Sequence, residues 1–180
     1  MQDLGTIPAG FGLTPSKFGL SKLGMSEKTG NNDGAPAELF ARGRREPWCA
    51  HFVVWCFWMC GLFLPGYVKP SKTQINPIAL VSRMHSECVA AGLMIDGEPE
   101  PDDIVFFNTR GDSDPAPGGW HVGIVVSVKR ERDGKLWITT VEGNKSNKVG
   151  GGRYLADDAR IVGYARHPYF ARLRDIAPTL

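Results

Sequence analysis

The chain has 180 residues, 42% of them hydrophobic and 22% charged, enough for one sizeable core and too few for two comfortable domains. A formal net charge of +2 gives no footprint for nucleic acid, while a pI near 8.4 suits approach to an anionic surface. The apolar run from Phe52 to Leu64 is interrupted by Gly61 and falls short of the roughly twenty residues that cross a bilayer, so no membrane span is expected.

Residues 1–34 are rich in Gly, Ser, Lys and Thr, with Phe11, Leu13, Phe18, Leu20, Leu23 and Met25 irregularly spaced. They read as an extension: a wrap, a docking peptide or a linker. Phe11-Gly12-Leu13 and Phe18-Gly19-Leu20 echo each other too loosely to define a repeat. The segment lacks a charged start followed by an apolar core, so no secretory signal is expected, and synthesis in the cytoplasm with reduced thiols follows. The domain proper is expected over residues 35–168, with 169–180 as a tail.

Helices are predicted from Ala35 to Arg42 and from Pro47 to Cys60, the second opened by a proline whose missing N–H costs nothing in a first turn. Leu64 to Asn76, marked by Pro65-Gly66 and Pro70, reads as a loop. A third helix is expected from Pro77 to Ala91, closed by Gly92. Ile104–Phe107, His121–Val128, Leu136–Glu142 and Arg160–Ala165 read as strands of an antiparallel sheet. Helices first and strands second predict an α+β fold.

Among four cysteines, Cys49 is the best nucleophile candidate. It should lie in the first turn of its helix, where orphan N–H groups and the dipole favour a thiolate. Cys56, Cys60 and Cys88 sit in apolar or helical surroundings and read as small packing residues. A catalytic cysteine needs a base. His51, two residues along the same helix, should point to another side. His85 reads as a helical, partly exposed residue and His167 as the end of a strand or a tail. His121 follows the turn-forming Pro117-Gly118-Gly119-Trp120 and opens a β-prone run, a place where a histidine is either structural or catalytic. The strand from Leu136 should pair with that run across Lys129 to Lys135, which puts Glu142 and Asn144 beside His121. There a carboxylate can fix the imidazole tautomer. Read by composition alone, Glu142-Gly143-Asn144 is a turn.

Trp48-Cys49-Ala50-x-Phe52-Val53-x-Trp55, Asp103-Ile104-Val105-Phe106-Phe107, His121-Val122-Gly123-Ile124-Val125 and Val141-Glu142-Gly143-Asn144, in that order, resemble the CHAP family. These are cysteine, histidine-dependent amidohydrolases and peptidases within the wider NlpC-like and papain-like superfamily. The resemblance covers roughly Ala37 to Pro168. It implies a papain-like CHAP fold with N-terminal helices packed on a C-terminal antiparallel sheet. It implies Cys49 as nucleophile, His121 as general base and then acid, Glu142 as the group orienting His121, and Asn144 as a fourth polar support. It also implies a cysteine peptidoglycan hydrolase, an amidase or endopeptidase cutting a stem-peptide or cross-bridge amide through a thioester. On this reading Trp48, Trp120 and Gly143 stand on the substrate side, and plain packing is the alternative for the tryptophans.

The sequence departs from calcium-binding members of that family. Where an acidic loop would precede the cysteine, Glu38 to Glu46 carries Arg42, Arg44 and Arg45. Asp112-Ser113-Asp114 supplies few of the oxygens calcium requires, and Cys56-x-x-x-Cys60 lacks a second pair for zinc. No metal and no cofactor is expected. Peptidoglycan is the expected partner, with a phage tail, a secretion machine or an immunity protein as further partners. Action in the periplasm or cell wall then requires non-classical export or phage delivery. Two other readings stand beside this one: an intracellular cysteine amidase or protease on a non-wall substrate, and a non-catalytic wall-binding or tail-assembly module.

Overall fold

A computed structural model describes residues 12–69, 76–109 and 119–176. In chain order these contain α1 (Pro15–Leu20), α2 (Ala35–Phe40), α3 (Cys49–Met59), a 3₁₀ turn (Pro77–Ala79), α4 (Val81–Ala90), β1 (Met94–Ile95), β2 (Ile104–Asn108), β3 (Trp120–Arg130), β4 (Leu136–Lys145), β5 (Lys148–Leu155), β6 (Ile161–Ala165) and α5 (Pro168–Ile176). The strands form one antiparallel sheet of six in the order β1-β6-β2-β3-β4-β5. The fold is therefore α+β, as the order of elements predicts, and papain-like, as the resemblance implies.

Helix α3 is apolar on nearly every side, and such a helix belongs in the interior. Phe52, Val53, Cys56 and Phe57 have no exposed surface. Phe40 of α2 packs its ring on Trp48, Phe52 and Trp55 at centroid distances of 5.5, 5.2 and 5.2 Å. Beneath α3 lies the sheet face formed by Ile104, Phe106, Val122, Ile124 and Val141. Alternation along each strand sends the other side chains to the far face, where Val105, Phe107, Val125, Ile138 and Tyr164 form a second cluster. Gly143 lies where α3 comes closest to β4, and a Cβ there would run into the Phe52 side chain.

Several elements differ from the sequence reading. The helix expected from Pro47 starts at Cys49, with Trp48 as its N-cap and Pro47 one step outside. The helix expected over 77–91 breaks at Leu80, which is extended (ψ 124°). Asn76 caps the preceding turn by accepting from the Ile78 N–H at 3.3 Å. Gly92 closes α4 with φ +66°, as expected. Strand β5 was absent from the prediction because Gly150-Gly151-Gly152 depresses strand propensity. Its pairing with β4 from Trp137↔Leu155 to Glu142↔Gly150 nevertheless makes it the last strand. Helix α5 occupies most of the segment read as a tail.

Residues 12–34 lie along the domain. The Ser16 N–H donates to buried Asp102 Oδ1 at 2.8 Å. Gly24 and Met25 exchange backbone hydrogen bonds with Val149 (2.9 and 2.8 Å), beside a bridge from Ser26 to Lys148. No helix among the described residues is long and apolar enough to cross a membrane. The acidic stretch Asp112-Ser113-Asp114 and the first of the two Phe-Gly-Leu pairs fall on or across residues outside those described.

Candidate active site

Cys49 is the first residue of α3 and is 7% exposed. The first N–H groups of a helix have no intrahelical acceptor, so the sulfur stands at a positively polarised end. His121 is the second residue of β3. Its Nε2 lies 2.8 Å from Glu142 Oε2, and Cys49 is near enough to act on its protonation. With Nε2 engaged by the acid, Nδ1 is the nitrogen open to the sulfur. The sequence reading brings His121 and Glu142 together through the β3–β4 pairing, and the structure does so by that register: Gly123 lies opposite Glu142, and His121 is two residues before Gly123 on the same face.

Glycine makes the acid's position possible. A Cβ on Gly123 would lie 2.7 Å from Glu142 Cγ, so the bare Cα leaves the carboxylate room to lean toward His121. Glu142 is 1% exposed. Its second oxygen, Oε1, accepts from Thr140 Oγ1 at 2.5 Å, Lys145 Nζ at 2.9 Å and Tyr154 OH at 3.0 Å. Burial raises the carboxyl's proton affinity, but the bonds from His121, Thr140 and Lys145 and the charge of His121 outweigh it and hold Glu142 at about 2. For His121, burial disfavours the charged ring, and the interactions with Cys49 and Glu142 overcome it, lifting the imidazole to about 9. At neutral pH the ring is an imidazolium between a sulfur and a carboxylate.

Asn144 takes a different direction from Glu142. Its φ of +55° is a left-handed conformation that Asn tolerates better than most residues, and it coincides with a register irregularity between Glu142 and Lys145. Its carboxamide faces Asn32, with Nδ2 donating to Asn32 Oδ1 at 3.0 Å. With the amide turned, Oδ1 accepts from the Trp48 N–H at 3.3 Å and Nδ2 donates to Glu27 Oε1 at 3.2 Å. The residue thus braces the loop that enters α3, and no hydrogen bond to the imidazole is formed.

The residues assigned to the substrate side are placed otherwise in two of three cases. Trp48 is completely buried, stacked on Phe40, and its Nε1–H donates to Glu27 Oε1 at 2.7 Å. It has no surface to offer a ligand. Gly143 faces Phe52 inside the core and serves helix-to-sheet contact. Trp120 is half-buried against His85, at 5.1 Å between ring centroids.

The other histidines are engaged elsewhere. His51 Nε2 pairs with Glu46 at 2.8 Å. His167 is buried, with Nε2 facing the Phe63 carbonyl at 3.2 Å and Nδ1 accepting from the Tyr169 N–H. Burial pushes the Cys60 and Cys88 thiols up to about 12 and Cys56 well above its ordinary value, so these sulfurs stay protonated. Among the described residues no group of three or more His, Cys, Asp or Glu side chains could hold a metal ion. Sequence reasoning missed Thr140, Lys145 and Tyr154. Thr140 was findable, since it shares a strand face with Glu142 two residues away. Lys145 depends on the turn at Asn144, and Tyr154 on a strand that was not predicted.

An α+β fold that sets a cysteine at a helix N-terminus against a strand histidine, with a buried glutamate behind it, is the arrangement of cysteine-dependent hydrolases. A family profile for the CHAP domain matches residues 41–144, more than half of the chain, and the chain belongs to that family. CHAP domains are amidase- and peptidase-type hydrolases that act on peptidoglycan. Neither a curated protein nor a solved structure matches the chain.

Proposed function

We propose that this protein is a cysteine amidohydrolase that cleaves an amide bond in the stem peptide or cross-bridge of peptidoglycan. The observation that carries the reading is the nearness of His121 to both Cys49 and Glu142 in a chain of the CHAP family. Cys49 as thiolate attacks the scissile carbonyl, and His121 gives its proton to the departing amine as the C–N bond breaks. Water then adds to the thioester with His121 taking its proton, the C–S bond breaks, and the acid is released. Glu142 keeps the ring oriented and supports its charge while the thiolate exists. The Cys49 N–H, an orphan donor of the first helical turn, is suited to the oxyanion of the tetrahedral intermediate. Asn144 acts from the side, holding the loop that carries Trp48 and Cys49. Trp120, packed on His85 at the start of β3, is the aromatic left to border the substrate. The protein acts on the wall side of the membrane.

Digestion of purified peptidoglycan of two stem chemistries by wild type and Cys49→Ala, with mass spectrometry of the soluble products, tests this. Fragments released by the wild type alone identify the bond. Intact sacculi with both proteins reject a wall substrate.

A further inference from the structure

Just beyond the matched span, two side chains close on the acid from the side away from the histidine. Lys145 Nζ and Tyr154 OH both reach Glu142 Oε1, and Lys145 Nζ also meets the Tyr154 hydroxyl at 2.5 Å and lies 4.8 Å from its ring centroid. The ammonium donates to the phenol oxygen, which leaves the phenol hydrogen directed at the carboxylate. Their meeting place is built. Lys145 arrives on the Glu142 side through the irregularity at left-handed Asn144, and a Cβ on Gly152 would strike Glu142 Oε1, Tyr154 and Lys145 Nζ together. Phe107 covers the set, its ring 4.9 Å from Tyr154 and 6.0 Å from His121.

The chemistry gives this cap a task. A buried carboxylate whose whole charge is directed at an imidazolium holds the proton on the ring, whereas turnover requires that proton to leave for the amine. We propose that Lys145 and Tyr154 are positioning residues for the His121–Glu142 pair: they saturate Oε1 so that Oε2 is left to the ring, and the ammonium offsets part of the carboxylate charge. This inference rests on the reading of Cys49, His121 and Glu142 as the reacting set. The groups that face Glu142 are His121 from β3, Thr140 and Lys145 from β4 and Tyr154 from β5, with Cys49 of α3 acting through the ring and Arg160 standing 5.4 Å from the Tyr154 ring centroid. Thr140 keeps Oε1 in place when Lys145 is removed, so its charge effect is separable from its hold.

The test is the imidazole titration of His121 followed by ¹⁵N NMR, with iodoacetamide alkylation of Cys49 against pH, in wild type, Lys145→Met, Lys145→Arg and Tyr154→Phe. Loss of the ammonium should raise the His121 pKa by about half a unit to one unit, carry the alkaline inflection of alkylation with it, and be rescued by Lys145→Arg. Tyr154→Phe should move it the same way by less. An unmoved or lowered titration in a folded Lys145→Met protein overturns the proposal, even if its melting temperature falls, because that pattern is purely structural. If Lys145→Met does not fold, the near-isosteric Tyr154→Phe decides by the same criterion. Neither readout uses a wall substrate. A shift in a protein that leaves sacculi intact rejects the proposed function and keeps the positioning role, and cleavage without a shift does the reverse.

Discussion

Two histidines in this protein make the same contact with a glutamate and come out with opposite properties. His51 Nε2 and His121 Nε2 each lie 2.8 Å from a carboxylate oxygen, of Glu46 and Glu142 respectively. Burial disfavours the charged form of both rings. At His51 burial wins, since Glu46 is 38% exposed and solvent-screened and Arg44 adds repulsion, so the ring falls below its ordinary value. At His121 the acid is 1% exposed and the sulfur of Cys49 is a second partner, and the ring rises to about 9. Distance alone does not make a catalytic pair. The burial of the acid, and a third group on the far side of the ring, separate the histidine proposed to react from the one that is merely satisfied.

The largest test of this contrast is His121→Ala, which removes the proton carrier. Hydrolysis of wall fragments should fall by about 10³–10⁴-fold, with a cooperative melt retained, and a loss under about tenfold would place the base elsewhere. Next comes Glu142→Gln, which keeps the size and removes the charge. Loss of a contacting carboxylate should lower the His121 pKa by about one to two units, moving the alkaline limb of kcat/KM from near 9 toward 7–8.

Stability should follow the same division. His121 has its folded value above the ordinary 6.5, so its contribution is complete below about 6.5 and disappears as pH rises through about 9. Glu142, at about 2 against an ordinary 4.5, contributes above about 4.5 and loses it as pH falls through about 2. His51, shifted downward, favours the folded state above its ordinary 6.5 and costs stability as pH falls below that. Melting temperatures of the wild type and Glu142→Gln should therefore differ most between about pH 4.5 and 9 and draw closer at the alkaline end, where the His121 share is lost.

A smaller effect is expected from Gly152→Ala, which replaces none of the reacting residues but crowds Glu142 and its support. A drop of about tenfold in kcat, with KM little changed, is expected on small amide substrates, because displacing Glu142 misorients the ring without altering groups that bind substrate. A change confined to KM would show that β5 contacts substrate instead.

The contrast also explains what could be read from the chain. The helix that opens at Cys49 and the β3–β4 pair were legible from Pro47, from the apolar run, and from two β-prone segments separated by a polar turn. The meeting of His121 and Glu142 follows from that pairing. The surroundings of Glu142 were not legible. Tyr154 lies on a strand whose three glycines argue against strand, and of these Gly152 is where a Cβ would strike the acid and its support. Trp48 was misplaced for a related reason: an aromatic beside a nucleophile looks like a groove wall until the ring of Phe40 and the carboxylate of Glu27 are seen to enclose it. Both partners come from segments upstream of the α3 entry loop.

The smallest predicted effect is the sharpest test of the comparison. His51 is two residues from the nucleophile, nearer in sequence than any other candidate base, and it already holds a carboxylate at hydrogen-bond distance. If proximity and an acid partner were sufficient, His51→Gln would cost as much as His121→Ala. On the argument from burial it should change kcat/KM by no more than about twofold, because on a helix the side chains at positions i and i+2 do not face each other, and because a solvent-screened Glu46 cannot hold the ring charged. The variant should also flatten the loss of stability expected as pH falls below 6.5, since the group whose charging opposes folding is gone. A loss of activity beyond tenfold in a protein with an unchanged melting temperature would mean that the two pairs share the chemistry.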